Sequence, residues 1–202
     1  MTRLPGVILA GGRATRMGGG DKGLRLVGGE SLMDRVIARL GAQCATLALN
    51  ANGDAGRFDA LGLPVLSDSI EGFAGPLAGV LAGLDWAAGQ GAEAIITAAA
   101  DTPFFPDDLA ARLQAAAGPQ GLALAASPDE AGVIRQHPTF GLWPVALRED
   151  LRAALQGGLR KIVLWTEGHA AGRAVWSSDP YDPFFNVNTP EDIATAERLI
   201  GA

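Results

Sequence analysis

The sequence predicts an α/β protein of three layers, in which a Rossmann-like, mostly parallel sheet is covered by helices on both faces. Short apolar runs with the composition of buried strands alternate along the chain with stretches whose apolar residues recur at helical spacing. The first four strand-like runs are followed by glycine or polar residues, at Gly11, Asn50, Asp68 and Asp101. Because parallel strands end at one edge of a sheet, these residues are expected to line a ligand site there.

Length and composition predict one globular domain that spans residues 1–202. The chain is 48% hydrophobic and 19% charged, and its net charge is −6. This acidic balance argues against a nucleic acid partner, which usually requires a clustered basic face. No apolar run approaches the roughly 18 residues of a membrane span, the run after Arg3 is too short for a signal peptide, and Cys44 is expected to be a buried thiol. We therefore expect a cytoplasmic protein that does not contact a membrane.

The first strand is expected at residues 6–10, a short apolar run that glycines end. Residues 11–23 are rich in glycine and arginine and have no apolar periodicity, so they are expected to form a loop. A helix follows with Ser31 as its N-cap, because the apolar residues between 32 and 40 fall on one face before Gly41.

Two more strand-like runs, residues 45–49 and 64–66, flank a short helical segment at 57–61. A second long helix is expected from Pro76, because proline suits the first helical turn. Residues 94–100 are all apolar or small and form the clearest buried strand. Up to this point the alternation is that of a parallel sheet with right-handed crossovers.

The rest of the chain alternates less regularly, and we divide the domain into a nucleotide-binding half, residues 1–120, and a second half, residues 121–202. The later elements are expected as helices at 106–117, 147–155 and 159–165, strands near 122–126 and 139–143, and a last helix from Pro190 with Thr189 as its N-cap.

The glycine-rich loop after the first strand is predicted to hold phosphates. Gly11 and Gly12 let backbone N–H groups approach phosphate oxygens, and Arg13, Arg16 and Lys22 could neutralise a triphosphate. The loop lacks the serine or threonine that follows the lysine of a Walker motif, and it has no G-x-G-x-x-G spacing. A flexible loop exposed to solvent is the alternative interpretation.

Asp101 follows the clearest buried strand and is predicted to hold Mg²⁺, because such sites combine one or two carboxylates with substrate oxygens. Its alternative role is an N-cap for the helix that begins near Pro106. Asp68 has the same two interpretations. Asn50 and Asn52 could bond a base or a ribose, although either could be a turn residue.

A glycine and two amides at other places could also contact a ligand. Gly75 precedes the second long helix, where a closely approaching ligand and tight packing would both favour glycine. Asn186 and Asn188 share one face of an extended segment, so they could bind a phosphate or complete a metal shell, or Asn188 could belong only to a turn. With two histidines in the chain, no Ser-His-Asp triad and no histidine metal site is predicted.

In this order the motifs resemble those of the molybdenum cofactor guanylyltransferases, the enzymes that join GMP to molybdopterin. The resemblance runs almost from end to end and rests on Leu9-Ala10-Gly11-Gly12, Arg16-Met17-Gly18-Gly19, Asp21-Lys22-Gly23, Asn50-Ala51-Asn52, Asp68-Ser69, Gly75-Pro76-Leu77-Ala78-Gly79, Asp101-Thr102-Pro103, His137-Pro138-Thr139 and Asn186-Val187-Asn188-Thr189-Pro190. It implies the nucleotidyltransferase type of the predicted fold. It also implies transfer of GMP from GTP to Mo-molybdopterin, with release of pyrophosphate.

The resemblance further implies roles for residues and partners. Binding of GTP is implied for a set of residues at the strand ends, namely Leu9, Ala10, Gly11, Lys22, Asn50, Asp68 and Asp101, with Gly12 and Gly75 as further nucleotide contacts. Asp101 would also hold Mg²⁺, and catalysis would depend on Asp101, Lys22 and Arg16. The second half would face molybdopterin through His137, Arg160, Lys161, Asn186 and Asn188. A protein that supplies molybdopterin and a molybdoenzyme that accepts the product are implied as partners.

Two rival functions remain open from the sequence. A related cytidylyltransferase would act on the same pterin. Those enzymes usually read Leu-Ala-Ala-Gly, whereas this chain reads Leu-Ala-Gly-Gly up to Gly12. This difference favours GTP. The other rival is a catalytically silent protein that binds the nucleotide and delivers the cofactor, which would bind GTP without turnover.

Overall fold

The structure, a computed structural model, describes residues 3–11, 22–70 and 75–201. Within these ranges the strands are β1 (Gly6–Leu9), β2 (Leu26–Val27), β3 (Glu30–Ser31), β4 (Leu47–Asn50), β5 (Val65–Leu66), β6 (Ala94–Ala99), β7 (Ala123–Pro128), β8 (Ile134–Pro144) and β9 (Gly172–Val175). The α-helices are α1 (Leu32–Gly41), α2 (Pro76–Gly89), α3 (Leu109–Ala115), α4 (Arg148–Gln156), α5 (Ile162–Gly168) and α6 (Pro190–Ile200). None of the helices in the described ranges is both long and apolar enough to cross a bilayer.

One sheet of seven strands has the order β5-β4-β1-β6-β8-β7-β9. Strands β1, β4, β5 and β6 are parallel, as are β7 and β9, so the predicted mostly parallel sheet is confirmed. Strand β8 is the exception, since it runs antiparallel to both β6 and β7. The physical reason is a tight turn after β7, where Asp129 Oδ1 accepts the N–H groups of Ala131 and Val133 and leaves no room for a crossover helix.

Helices cover both faces of the sheet, which confirms the three-layer prediction. Successive side chains of a strand point to opposite faces. Accordingly, Ile8 and Ile96 pack in a cluster with α1 and α3, whereas Val7 and Ile95 pack in a second cluster with α2, α4 and α5. The central strands are buried on both faces, and this double burial explains why they are continuous apolar runs in the sequence.

Helix α2 packs against the sheet through a glycine. A Cβ atom added to Gly83 would lie 2.9 Å from side-chain atoms of both Val7 and Ile95, so a larger residue would require these side chains to shift. The close contact sets the height of α2 above the sheet and brings its first turn to the edge where β1 and β4 end.

The last helix is anchored at that same edge. Thr189 caps α6 together with Asp192, as predicted, and Asp192 Oδ2 also accepts the N–H of Asn188 at 2.8 Å. A third apolar cluster joins α6 to the small β2–β3 hairpin and includes Phe104 and Val187. The segment before α6 is therefore fixed beside the end of β6.

Candidate functional site

The candidate site lies where β1, β4, β5 and β6 end. The strand register aligns these ends, because Ala10 N donates to Asn50 O at 2.9 Å and Ala100 N donates to Leu9 O at 3.1 Å. Leu9 is buried, whereas Gly11 is exposed and has no atom within 4 Å of the position where a Cβ would be. None of the described residues therefore fills the space at Gly11. The predicted phosphate-binding residues Gly12, Arg13 and Arg16 lie outside the described residues.

Lys22 and Asp101 form an ion pair at the centre of this edge. Lys22 Nζ lies 2.6 Å from Asp101 Oδ2 and also donates to the side-chain oxygen of Asn188. The side chains of Lys22 and Asp101 are 12% and 27% exposed, so the pair is sheltered and yet reachable by a ligand. Three motifs that are far apart in the sequence meet in this contact.

The residues around Asp101 hold its backbone and its second oxygen. The Thr102 hydroxyl donates to Asp101 Oδ1 at 3.1 Å and contacts the side-chain oxygen of Asn186, and Thr102 itself is fully buried. Val187 N donates to the Asp101 carbonyl at 2.9 Å. The segment that contains Asn186, Val187 and Asn188 therefore clamps Asp101 and Lys22 in place.

A second polar cluster joins the ends of β4 and β5. The Asn50 amide donates to Asp68 Oδ1 at 3.0 Å, and the Asn52 amide donates to Asp68 Oδ2 at 2.7 Å. Asn52 also accepts the backbone N–H of Asp68 at 2.9 Å. Asp68 is thus oriented by two amides, and the half-buried carboxylate can present its remaining lone pairs to hydroxyl or N–H donors of a ligand.

The glycines at the start of α2 serve two different purposes. A Cβ added to Gly79 would overlap Asn50 Oδ1, so this glycine makes room for the buried Asn50 side chain. Gly75, in contrast, has no atom of the described residues within 4 Å of its would-be Cβ and has no side chain to cap the helix. An anion would be stabilised at this positive end of the 14-residue helix α2.

The oxygen atoms at the site suit a magnesium ion that a substrate brings with it. Among the described residues, no three or more His, Cys, Asp or Glu side chains come together to form a metal site by themselves. Asp101 supplies a carboxylate, and the side-chain oxygens of Asn186 and Asn188 lie within the same group of contacts. One carboxylate with neutral oxygens fits Mg²⁺ that retains phosphate and water ligands.

His137 is part of a separate hydrogen-bonded group on the β7–β8 hairpin. Its Nε2 lies 2.7 Å from Ser127 Oγ, and Ser127 Oγ lies 3.0 Å from Asp182 Oδ1. Burial lowers the pKa of His137 below its ordinary value, and the negative charge of Asp182 opposes this effect. Ser127 lies between the other two residues in this group, so the Asp182 carboxylate does not orient the imidazole as it does in a catalytic triad.

The other basic candidates of the second half lie at the start of α5. Arg160 and Lys161 are both exposed, and the first residue of α5, Ile162, packs in the cluster formed with α2 and α4. These two residues are therefore on the α2 side of the sheet.

Sequence reasoning missed the parts of Thr102, Ser127 and Asp182 in these networks. Thr102 belongs to the Asp101-Thr102-Pro103 motif and directly follows the predicted metal ligand, so its position next to Asp101 could have indicated its role. Ser127 and Asp182 are separated by 55 positions, and no local pattern connects them.

The sequence is similar to a known protein family and to named relatives. A family model described as a MobA-like NTP transferase domain matches residues 6–170. The molybdenum cofactor guanylyltransferase of Bradyrhizobium sp. (strain ORS 278) is 54% identical over 203 residues, which cover 98% of this chain and 93% of the relative. The protein of the same description from Cereibacter sphaeroides is 51% identical over 198 residues, with 98% and 97% covered.

Solved structures share the fold. Molybdopterin-guanine dinucleotide biosynthesis protein A from Archaeoglobus fulgidus superimposes with a TM-score of 0.72 at 20% identity, covering 98% of this chain and 99% of that one. The 2-C-methyl-D-erythritol 4-phosphate cytidylyltransferase of Thermus thermophilus gives a TM-score of 0.69 at 20% identity, with 97% and 98% covered. The nucleotidyltransferase type of the predicted fold is thereby confirmed.

Proposed function

This chain belongs to the family of MobA-like NTP transferases, and from this membership we propose that it is a molybdenum cofactor guanylyltransferase. The reaction transfers GMP from GTP to Mo-molybdopterin and releases pyrophosphate. Its setting is the cytoplasm, with a protein that supplies molybdopterin and a molybdoenzyme that receives the product as partners. The observation that carries the proposal is the contact of Lys22 with both Asp101 and Asn188, which unites three motifs of the family at one open edge.

Different residues of the site bind the triphosphate and the nucleoside of GTP. The triphosphate lies in front of Gly11 and the first turn of α2, where backbone N–H groups and the helix dipole favour negative charge. Lys22 transfers its hydrogen bonds from Asp101 to phosphate oxygens. Asp68, oriented by Asn50 and Asn52, accepts hydrogen bonds from the nucleoside.

In the reaction an oxygen of the terminal phosphate of molybdopterin attacks the α-phosphorus of GTP. A new P–O bond forms, and the bond between the α-phosphorus and the oxygen that bridges to the β-phosphate breaks, so the electron pair leaves with pyrophosphate. A phosphate monoester is already ionised at neutral pH, and no general base is needed. Lys22 stabilises the charge that develops on the phosphate oxygens.

Asp101 is the residue that would hold Mg²⁺. When bound, the ion supplies positive charge to the phosphate oxygens of the nucleotide. Asn186 and Asn188 keep the Asp101 loop in position through Thr102 and Lys22, and Val187 does so through the Asp101 carbonyl.

The test is pyrophosphate release from GTP and from CTP in the presence of Mo-molybdopterin and Mg²⁺, with the wild type and with Asp101→Asn. We expect release with GTP, at most slow release with CTP, and a loss of at least 100-fold in Asp101→Asn, since removal of one group that stabilises transition-state charge costs roughly 10²–10³ in kcat.

Asp107→Asn is a matched control. Asp107 also follows β6 and also pairs with a basic side chain, that of Arg39, at 2.6 Å, but the Asp107 side chain is 83% exposed and lies on the α1 side of the sheet. Its activity should equal that of the wild type. A preference for CTP would overturn the guanylyl assignment, and undiminished turnover by Asp101→Asn would overturn the role of Asp101. Binding of GTP without turnover in the wild type would identify a delivery protein.

A further inference from the structure

Ser127, His137 and Asp182 form a hydrogen-bonded chain whose direction the chemistry dictates. A hydroxyl has one proton and a carboxylate can only accept, so Ser127 donates to Asp182 Oδ1 at 3.0 Å and accepts from His137 Nε2 at 2.7 Å. Ser127 is 2% exposed. The proton of His137 is thus assigned to Nε2, and this nitrogen is already engaged within the protein.

The same group holds one end of the segment formed by residues 182–188. Asp182 Oδ1 also accepts the N–H of Phe184 at 3.0 Å, and the Asp182 carbonyl accepts the N–H of Phe185 at 3.1 Å. The His137 ring stacks on the buried ring of Phe184 with 4.3 Å between centroids and 22° between planes. One ring face of His137 therefore packs directly on this segment, and Nε2 supports it through Ser127.

The other end of the segment clamps the candidate site. Asn186 contacts Thr102, Val187 N donates to the Asp101 carbonyl at 2.9 Å, and Asn188 accepts from Lys22. Only three residues separate Phe184 from Asn188. A displacement of Phe184 must therefore change where Asn188 lies relative to Lys22 and Asp101.

From these contacts we propose that His137 is a positioning residue: with Ser127 and Asp182 it fixes residues 182–188 and so aligns the Lys22–Asp101 pair. On this proposal His137 affects the reaction through that pair, whereas the family resemblance implies direct contact with the acceptor molecule. The inference rests on the proposed guanylyl transfer for its activity readout, but the physical link that it describes exists whatever reaction the site performs.

The experiment is a double-mutant cycle with His137→Ala and Asn188→Ala, measured as kcat/KM for guanylyl transfer. Loss of a hydrogen bond between partly buried groups should lower kcat/KM on the order of tenfold in each single variant. If His137 acts through Asn188, kcat/KM of the double variant should be no lower than that of the less active single variant. Independent contributions would multiply to about 100-fold and would overturn the proposal.

His137→Gln is the rescue variant, because its amide N–H can replace Nε2–H as the donor to Ser127, and it should restore most of the activity. Ser127→Ala removes the hydroxyl that joins His137 to Asp182, and its kcat/KM should equal that of His137→Ala. It also serves as the test if His137→Ala fails to fold. A rise in KM for Mo-molybdopterin alone, with unchanged kcat and no coupling to Asn188, would show direct acceptor binding and contradict the proposal.

Hydrogen exchange of the backbone amides at 182–188 gives a readout that does not depend on the reaction. His137→Ala should exchange faster at Phe184 and Val187, whereas His169→Ala should not. His169 is the matched control, since its Nε2 also makes a hydrogen bond, to Asp150 at 2.8 Å, and its ring also lies 4.3 Å from an aromatic ring, that of Trp165. Unchanged protection in His137→Ala would overturn the inference, while absence of guanylyl transfer with faster exchange would overturn only the proposed function.

Discussion

Replacement of Lys22 by methionine is expected to change metal and nucleotide affinity in opposite directions. The Lys22 ammonium group lies 2.6 Å from Asp101 Oδ2, and the side chains of the two residues are 12% and 27% exposed. A divalent ion that binds the carboxylate competes with this cation for Oδ2 and is repelled by its charge. Methionine has nearly the same length but no charge, so Asp101 becomes available.

The magnitude follows from the strength of the pair. An ion pair of this intermediate burial is worth about 1–2 kcal/mol, so Lys22→Met should bind Mn²⁺ about 5- to 30-fold more tightly than the wild type when no nucleotide is present. GTP affinity should fall about 10- to 150-fold, because a hydrogen bond to a charged group contributes about 1.5–3 kcal/mol.

The assay is a titration of free Mn²⁺ by electron paramagnetic resonance without nucleotide, followed by calorimetric titration with GTP in Mg²⁺. Arg39→Met is the control, since Arg39 forms a pair of the same length with the exposed Asp107, and it should change neither affinity. Equal or weaker Mn²⁺ binding by Lys22→Met would refute the idea that Lys22 competes with the metal for Asp101.

Three other properties of the fold lead to direct tests. Burial raises the pKa of Cys44 to about 12, so a thiol reagent at pH 8 should label the chain only after unfolding, and rapid labelling of the native protein would contradict this packing. Burial lowers the pKa of His137, so the unfolded chain binds more protons than the folded one near this pH. The free energy of unfolding, measured by urea denaturation, should therefore fall as the pH decreases below about 6.5. His137→Gln should make the free energy of unfolding less dependent on pH in this range. Gly79→Ala should lose about 1–3 kcal/mol through overlap with Asn50, a decrease of about 2–12 °C in Tm, whereas Gly89→Ala in the same helix, where a Cβ meets no atom within 4 Å, should be neutral or stabilising.

The parts of the fold that the sequence predicts are those whose signals are local. Strands β1 and β6 are buried on both faces and therefore stand out as apolar runs, and the caps at Ser31 and Thr189 depend on residues three positions away. Strand β9 was missed because only one of its four residues is buried, and it contains an exposed arginine. The β2–β3 hairpin was missed because each strand has two residues.

In the candidate site, too, the features with a local sequence signal could be predicted and the others could not. The approach of Gly11, Asn50, Asp68 and Asp101 follows from parallel strands that end together, and the sequence predicted their shared edge. The antiparallel β8 does not follow from strand composition, although the Asp129–Gly132 turn was a recognisable hairpin signal. The contact of Lys22 with Asn188 depends on how α6 packs on the β2–β3 hairpin, and no periodicity within either segment encodes it.

The span of that contact has a consequence for synthesis. Lys22 and Asn188 are 166 positions apart, so the ribosome must make nearly the whole chain before the two can meet. A nascent chain that has already folded β1, β4 and β6 still lacks the segment that steadies Asp101. A chain that is cut short before residue 188 therefore lacks the contact of Asn188 with Lys22.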